Sequence, residues 1–243
     1  MLAESLSMGK IIDKLKEDIR FEEGMNACIN CGTCTAICPA SEFYNYDPRQ
    51  VVVDVQSNNE EKIIELLKSD TIWYCGECMS CKTRCPRNNT PGLIIMALRA
   101  LSQELGYFTE SEKGRQQLVL KRTVGEWSLN HGYCMYPEAI TTNNFPEQGP
   151  IWDWEHANLH AVMKRLGANY QGDGTGILRR IPQDALDEIN KIFEVTGGLD
   201  RFANIEECSK KKAEELGMGF DETHNNEYFD YIFLANNGQH QKD

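Results

Sequence analysis

Eight of the ten cysteines fall into two copies of one pattern, Cys28-x2-Cys31-x2-Cys34-x3-Cys38-Pro39 and Cys75-x2-Cys78-x2-Cys81-x3-Cys85-Pro86. Three thiols within seven residues let one short loop curl around three corners of an iron-sulfide cubane. Zinc is the competing ion. A zinc ribbon takes its four thiolates from two separated C-x-x-C knuckles, with no use for a third cysteine three residues on or for a fourth followed by proline in both copies. A disulfide framework is less favoured still, because the N-terminus (MLAESLSMGKIIDKLKEDIR) alternates charge with aliphatics and lacks the apolar stretch of an export signal. The cysteine usage therefore points to two 4Fe-4S clusters in a cytoplasmic chain. Cys134 and Cys208 stand outside the pattern and read as packing or idle thiols.

In the two-cluster arrangement the fourth cysteine of each run ligates the other cluster. The expected sets are Cys28, Cys31, Cys34 and Cys85 for one centre, and Cys75, Cys78, Cys81 and Cys38 for the other. Pro39 and Pro86 fix the backbone as the chain leaves each run, orienting the fourth ligand. The second run carries Lys82, Arg84 and Arg87 with Glu77, whereas the first is uncharged from Ala27 to Ala40. Positive charge near a cluster favours its reduced form, so the second cluster is expected at the higher potential, with a solvated basic face as the alternative.

The elements that must hold these loops read as helices. Asp47-Pro48 is a cap followed by proline, although Val51 to Val53 forms helix poorly. From Asn59 to Lys68, Ile63, Ile64 and Leu67 share one face. Thr90-Pro91-Gly92 starts a helix whose Leu93, Ile94, Met96, Ala97, Ala100 and Leu101 repeat to Gly106, and its positive end is placed to face the cluster pair. Thr109 and Glu112 form a capping-box signature before a helix with Leu120, Val124 and Trp127 on one side. A cluster domain is thus expected over residues 1–130, followed by a helical and loop extension over 131–243 that is expected to dock a partner subunit.

In the extension, Asn130 to Pro150 reads as a surface loop, Ile151 to Leu166 as one helix, and Gly172 to Gly176 as a flexible linker. Helices follow from Pro182, with Leu186, Ile189, Ile192 and Phe193 on one face, and from about Asp200 to Leu216, ended by Gly217. The aromatic group Tyr228, Phe229, Tyr231, Ile232 and Phe233 requires a cover, as does the N-terminal stripe Ile11, Ile12, Leu15 and Ile19. His156 and His160 stand four apart without a metalloprotease glutamate and read as ordinary surface residues.

Composition narrows the function. A net charge of −12 is the wrong sign for gathering phosphate backbones, which excludes nucleic acid as the natural partner. From residue 182 onward there are 14 acidic and 6 basic residues, so most of the excess lies in the tail. No apolar run approaches the roughly 20 residues of a membrane span. No nucleophile triad, paired-carboxylate motif or dinucleotide fingerprint appears, so no independent active site is expected.

The wording ACINCGTCTAICP and YCGECMSCKTRCP, two intact runs set among helices, resembles the C-type iron-sulfur subunit of heterodisulfide reductase over roughly residues 20–125. The motif is shared with the iron-sulfur subunits of succinate dehydrogenase, fumarate reductase and glycolate oxidase-type enzymes, in which one run is usually altered or the domain is fused to others. The resemblance implies a mainly α fold, an α-helical ferredoxin domain with two 4Fe-4S clusters and a helical C-terminal extension. It implies an electron-transfer subunit passing single electrons to or from a B-type subunit whose CCG modules hold noncubane clusters, in a complex with a flavin-containing A-type subunit. The long extension is similar to that of the heterodisulfide reductase-like complex of sulfur oxidation. Two alternatives stay open: the iron-sulfur subunit of a different flavin-linked dehydrogenase, and an interaction module whose clusters are structural.

Overall fold

The structure, a computed structural model, describes residues 10–233. Residues 1–9 and 234–243, which begin the charge-alternating N-terminus and end the aromatic tail, lie outside the described residues. Every regular element among the described residues is helical.

Helices α1 (Lys10–Lys16) and α2 (Ile19–Gly24) divide the N-terminal stripe. Ile11 and Leu15 are buried, but the carboxylate of Asp18 accepts from Arg20 N and starts a new helix, which leaves Ile19 exposed. Single turns α3 (Thr33–Ala36) and α4 (Ala40–Phe43) surround the end of the first cysteine run. In α5 (Pro48–Gln56) the Asp47 carboxylate accepts from the backbone N–H groups of Arg49 and Gln50, and Val51, Val52 and Val55 are buried. Burial and the cap outweigh the modest helix propensity of valine. Helix α6 (Glu60–Lys68) is capped by Asn59 and buries Ile63 and Leu67.

Helix α7 (Pro91–Glu104) is the hub, with α1, α2, α5 and α6 packed around it. Ile94, Ile95, Ala97, Leu98 and Leu101 are buried around almost its whole circumference, the pattern of a central rather than a surface helix. Its first turn meets the end of α2 closely: Thr90 N donates to Gly24 O at 2.8 Å, and a Cβ at Gly24 would stand 3.0 Å from Leu93 Cβ. This first core therefore ends against the segment from which both cysteine loops hang.

The next region departs from its sequence pattern. Ser111, rather than Thr109, caps α8 (Glu112–Arg115), accepting from Gly114 N at 3.1 Å. Helix α9 (Gln117–Leu120) runs through a π-helical turn, Lys121–Gly125, into α10 (Glu126–His131). The wider turn rotates the following face, so Leu118, Val119, Arg122, Thr123 and Trp127 are buried while Leu120 and Val124 are exposed.

In the extension, the helix expected to be continuous is broken into α11 (Gly149–Ala157) and α12 (Leu159–Arg165). At the break, Asn158 Nδ2 donates to Trp154 O, a side-chain bond that competes with the backbone ladder. The glycine-rich stretch is a closed loop, not an open linker: Gln171 N donates to Leu178 O, and Asn169 Nδ2 donates to Asp173 O and Thr175 O. Helices α13 (Gln183–Val195) and α14 (Gly198–Leu216) pack together across the Gly197 turn, followed by α15 (Glu227–Phe233). Leu186 on α13 is buried, whereas Ile192 is 57% exposed.

Residues from both sides of position 130 build a second core. Phe108, Leu118 and Val119 pack with Ile205, Ala213, Tyr228, Phe229 and Ile232, so this chain itself covers the aromatic group before residue 234. Arg122, 1% exposed, pins the join: its guanidinium donates to both carboxylate oxygens of Glu206 (2.8 and 2.7 Å) and to the carbonyls of Thr223 (2.6 Å) and Asp221 (2.7 Å). No helix among the described residues is long and apolar enough to cross a membrane.

Candidate metal centres

Two hollows flank the N-terminus of α7. Cys28, Cys31, Cys34 and Cys85 line the first, together with Pro91 from the opening turn of the helix. Cys38, Cys75, Cys78 and Cys81 line the second, a cavity of about 390 Å³, together with Gly92. The chain crosses between them, each run lending its last cysteine to the other hollow. The positive end of a 14-residue helix faces both, and a backbone hydrogen bond from Gly92 favours the Cys81 thiolate against burial, which otherwise raises that thiol. A side chain at Gly92 would press on the second loop, because a Cβ there stands 3.0 Å from Met79 Sδ and 3.9 Å from Cys81 Sγ.

The loops are bent by left-handed backbone at Asn30 (φ 59°) and Gly32 (φ 80°) in the first run, and at Glu77 (φ 53°) and Met79 (φ 57°) in the second. Such conformations cost non-glycine residues about 1–2 kcal/mol each. They turn successive N–H groups inward, as in the nests that bind anions and iron-sulfur centres. Asn30 N donates to Cys28 Sγ at 3.4 Å and Asn89 N to Cys85 Sγ at 3.3 Å. Cys31 and Cys78, the exposed members of their runs, share one device: the hydroxyls of Thr33 and Ser80 lie 3.4 Å from their sulfurs and pull both thiols below the usual range. Cys34, the third cysteine of its run, is pushed up to about 11 by burial, and Cys75 is raised for the same reason.

Side chains outside the runs hold the loops in place. Gln56, at the end of α5, accepts from Cys28 N at 2.6 Å and donates to Cys28 O. Asn26 N donates to Asn89 Oδ1 at 2.8 Å, which clasps the approach to Cys28 against the segment leaving Cys85. The Asp47 carboxylate accepts from the Thr35 hydroxyl and from Arg49, whose other nitrogen reaches Asn30 Oδ1 at 2.5 Å. For the second run, Arg99 of α7 donates to Ile72 O (2.7 Å), Cys75 O (2.6 Å) and Glu77 Oε1 (2.6 Å). Tyr46 and Trp73 also line the second hollow. Of these supports only Glu77 and Asp47 stood out in the sequence, Asp47 as a helix cap and not as a brace of the first loop. A comparison of the two runs would have found Thr33 and Ser80, each two residues past the second cysteine.

The charge assignment drawn from the sequence needs correction. Arg87, counted with the second run, lines the first hollow beside Arg49, while Lys82 and Arg84 line neither and Lys113 lines the second. The crossing is the cause: Cys85 carries the residues after it to the first hollow. Cys134 is exposed and lines neither hollow, and Cys208 packs against the second core, where burial raises its thiol.

The donor set fits a four-iron cluster at each hollow. Each presents four thiols to ligate iron, with N–H donors aimed at sulfur and a helix N-terminus to stabilise the negative charge of the thiolate-bound group. Among the described residues no three His, Cys, Asp or Glu side chains converge on a single-ion position.

Residues 24–89 match the family described as a 4Fe-4S dicluster domain. Over 88% of its length the chain is 32% identical to the C-type subunit of the ferredoxin:CoB-CoM heterodisulfide reductase of Methanosarcina acetivorans, covering 78% of that protein. It is 34% identical over 49% of its length to the second C-type iron-sulfur subunit of the CoB–CoM heterodisulfide reductase of Methanocaldococcus jannaschii, covering 59% of it. A third relative is the C-type subunit of the H(2):CoB-CoM heterodisulfide,ferredoxin reductase of Methanothermobacter marburgensis, 28% identical over 57% of this chain and covering 78% of that protein.

Proposed function

The chain belongs to the family of C-type iron-sulfur subunits of heterodisulfide reductases, and from that premise we propose that it relays single electrons between two cross-ligated 4Fe-4S clusters and a B-type partner subunit. The observation that carries the proposal is the crossing of the runs: Cys85 stands with Cys28, Cys31 and Cys34, and Cys38 with Cys75, Cys78 and Cys81. Two clusters supply one-electron storage and transfer when bound. The chain's own residues hold them as neighbours at one helix terminus, bring N–H donors to the sulfurs and keep the loops from relaxing. It contributes no substrate-converting site of its own. That chemistry falls to the B-type subunit with CCG modules, linked through the complex to a flavin-containing A-type subunit.

The extension supports a docking role through a surface different from the aromatic group. Ile151, Trp154, Ile177, Ile192 and Val195 are exposed, all within residues 149–195. Exposed apolar side chains of this size are candidates for cover by a partner. The extension does not by itself separate a sulfur-oxidising complex from a heterodisulfide-reducing one, because the alignment with the Methanosarcina acetivorans relative spans 88% of this chain. The complex accordingly belongs to sulfur or disulfide chemistry, with its substrate set by the B-type partner.

Anaerobically purified protein is expected to be brown, with close to eight iron and eight sulfide per chain, and to show an EPR spectrum of two interacting centres on reduction. Stoichiometric zinc, iron near four, or two magnetically isolated signals would overturn the assignment. A reduced chain that fails to reoxidise on mixing with its B-type partner would refute the relay.

A further inference from the structure

Tyr46 is 4% exposed and lines the second hollow; its hydroxyl has no nitrogen or oxygen partner and faces the sulfur of Cys75. Leaving a buried hydroxyl unsatisfied costs about 1–3 kcal/mol, so the position calls for an acceptor. The side chain has little freedom to seek one elsewhere. Its ring packs in the first core and edge-on against Tyr74, 6.3 Å between centroids. Its backbone is held on both sides: Ser41 Oγ donates to Tyr46 O at 2.7 Å, and Tyr46 N donates to Tyr44 O at 2.8 Å. A neutral thiol is a weak acceptor, so the Cys75 sulfur satisfies the phenol poorly until it carries negative charge as a cluster ligand.

The other unpartnered groups differ. Tyr228 and Ser209, both buried in the second core, face each other and can satisfy each other by rotation of their hydroxyls. Arg115 Nε belongs to a guanidinium 5.7 Å from the centre of the Tyr231 ring, and Arg115 lines neither hollow. Trp73 Nε1 is a second orphan donor on a residue lining the same hollow as Tyr46. The first hollow has no such residue among those described: Asn30 N and Asn89 N donate to sulfur, the Thr33 hydroxyl lies 3.4 Å from Cys31 Sγ, and Arg49 and Arg87 donate to Asn30 Oδ1 and Ala27 O.

We propose that Tyr46 donates a hydrogen bond into the sulfur shell of the second cluster and raises the potential of that cluster alone. A phenol is protonated at neutral pH and is a donor there. The bond strengthens when an electron adds negative charge to the sulfurs, so it favours the reduced form. The placement is asymmetric, and it gives the relay a difference between its two stations that does not depend on the exposed arginines. The proposal rests on the ligand sets given above.

The test is a redox titration followed by EPR on anaerobic full-length wild type, Tyr46→Phe and Tyr44→Phe. The second-run signal is identified by its altered g values in Cys78→Ser. In Tyr46→Phe, with iron content unchanged, one midpoint is expected to fall so that the cluster's reduction equilibrium shifts about tenfold, 59 mV for a one-electron couple. The moving signal is expected to be the one perturbed by Cys78→Ser, and Tyr44→Phe to leave both midpoints in place. Unchanged midpoints in Tyr46→Phe, equal movement of both, or movement of the other cluster would overturn the proposal. If Tyr46→Phe loses iron, site-specific 3-fluorotyrosine at position 46 keeps the shape and makes a stronger donor: a raised second midpoint supports the proposal, and an unchanged one refutes it. Wild type with fewer than two clusters would instead refute the ligand sets.

Discussion

Replacing Arg99 by Met is expected to loosen one cluster loop and spare the other. From the middle of α7 the guanidinium donates to Ile72 O, Cys75 O and Glu77 Oε1, and lies 5.5 Å from the centre of the Trp73 ring. Met keeps the aliphatic stem and removes every donor. Hydrogen bonds from a charged donor contribute roughly 1.5–3 kcal/mol each. The Glu77 pair is partly exposed and adds about 0–1 kcal/mol. The two carbonyl bonds therefore dominate, at about 3 kcal/mol once the freed carbonyls recover bonds to water. At 1.4 kcal/mol per tenfold, opening of the loop from 72 to 77 becomes about a hundredfold more favourable. The assay is anaerobic iron release to a chelator, followed by loss of visible absorbance and by EPR. Wild type loses its clusters slowly, while the variant is expected to lose half its iron about a hundredfold faster and the rest at the wild-type rate. Uniform release of all the iron at the wild-type rate, or earlier loss of the first-run signal, would refute the role given to Arg99.

Cys85→Ser is expected to perturb the cluster built on Cys28, Cys31 and Cys34, although Cys85 belongs to the second run; EPR showing loss confined to the centre of Cys75, Cys78 and Cys81 would contradict the crossing. Arg122→Ala removes four hydrogen bonds at the join, leaving Glu206 to Lys121 and the two carbonyls to Asn226, and is expected to cost about 2–3 kcal/mol in chemical unfolding; a change under about 1 kcal/mol would show that the pin is not a stability determinant. Ile192→Asp with Val195→Asp is expected to weaken binding to the B-type partner at least tenfold in a titration while iron content and helicity stay unchanged, and full affinity would remove this face from the docking surface.

Much of the cluster region was legible because its constraints are local. Cysteine spacing, Asp47-Pro48, Asn59 and Thr90-Pro91 each act within a few residues, and the helices begin where those residues place them. Residues that act across the fold were not. Arg99 sits on an apolar helix as an unremarkable surface charge and meets its carbonyls only through the 72–77 loop. Tyr46 occupies a stretch whose sequence shows caps and helix faces but not a wall. Helical periodicity failed where its premise did: the π turn at Lys121–Gly125 does not keep 3.6 residues per turn, so Leu120 and Val124, which the spacing groups with Trp127, face out while Trp127 is buried. Charge failed for a topological reason, since Arg87 follows Cys85 to the other hollow.

The crossing also sets a timetable for biosynthesis. The first hollow begins at Cys28 but is finished only by Cys85, so the first of its thiols leaves the ribosome 57 residues before the last. At about 5–20 residues per second that interval is roughly 3–11 s. The second hollow opens with Cys38 and closes at Cys81, within the same interval, so the site started first is completed last. A nascent or truncated chain ending before residue 85 would expose an incomplete thiol set to oxidation. Loading of the first hollow is thus tied to a finished domain, whereas the second has its full thiol set as soon as Cys81 has emerged.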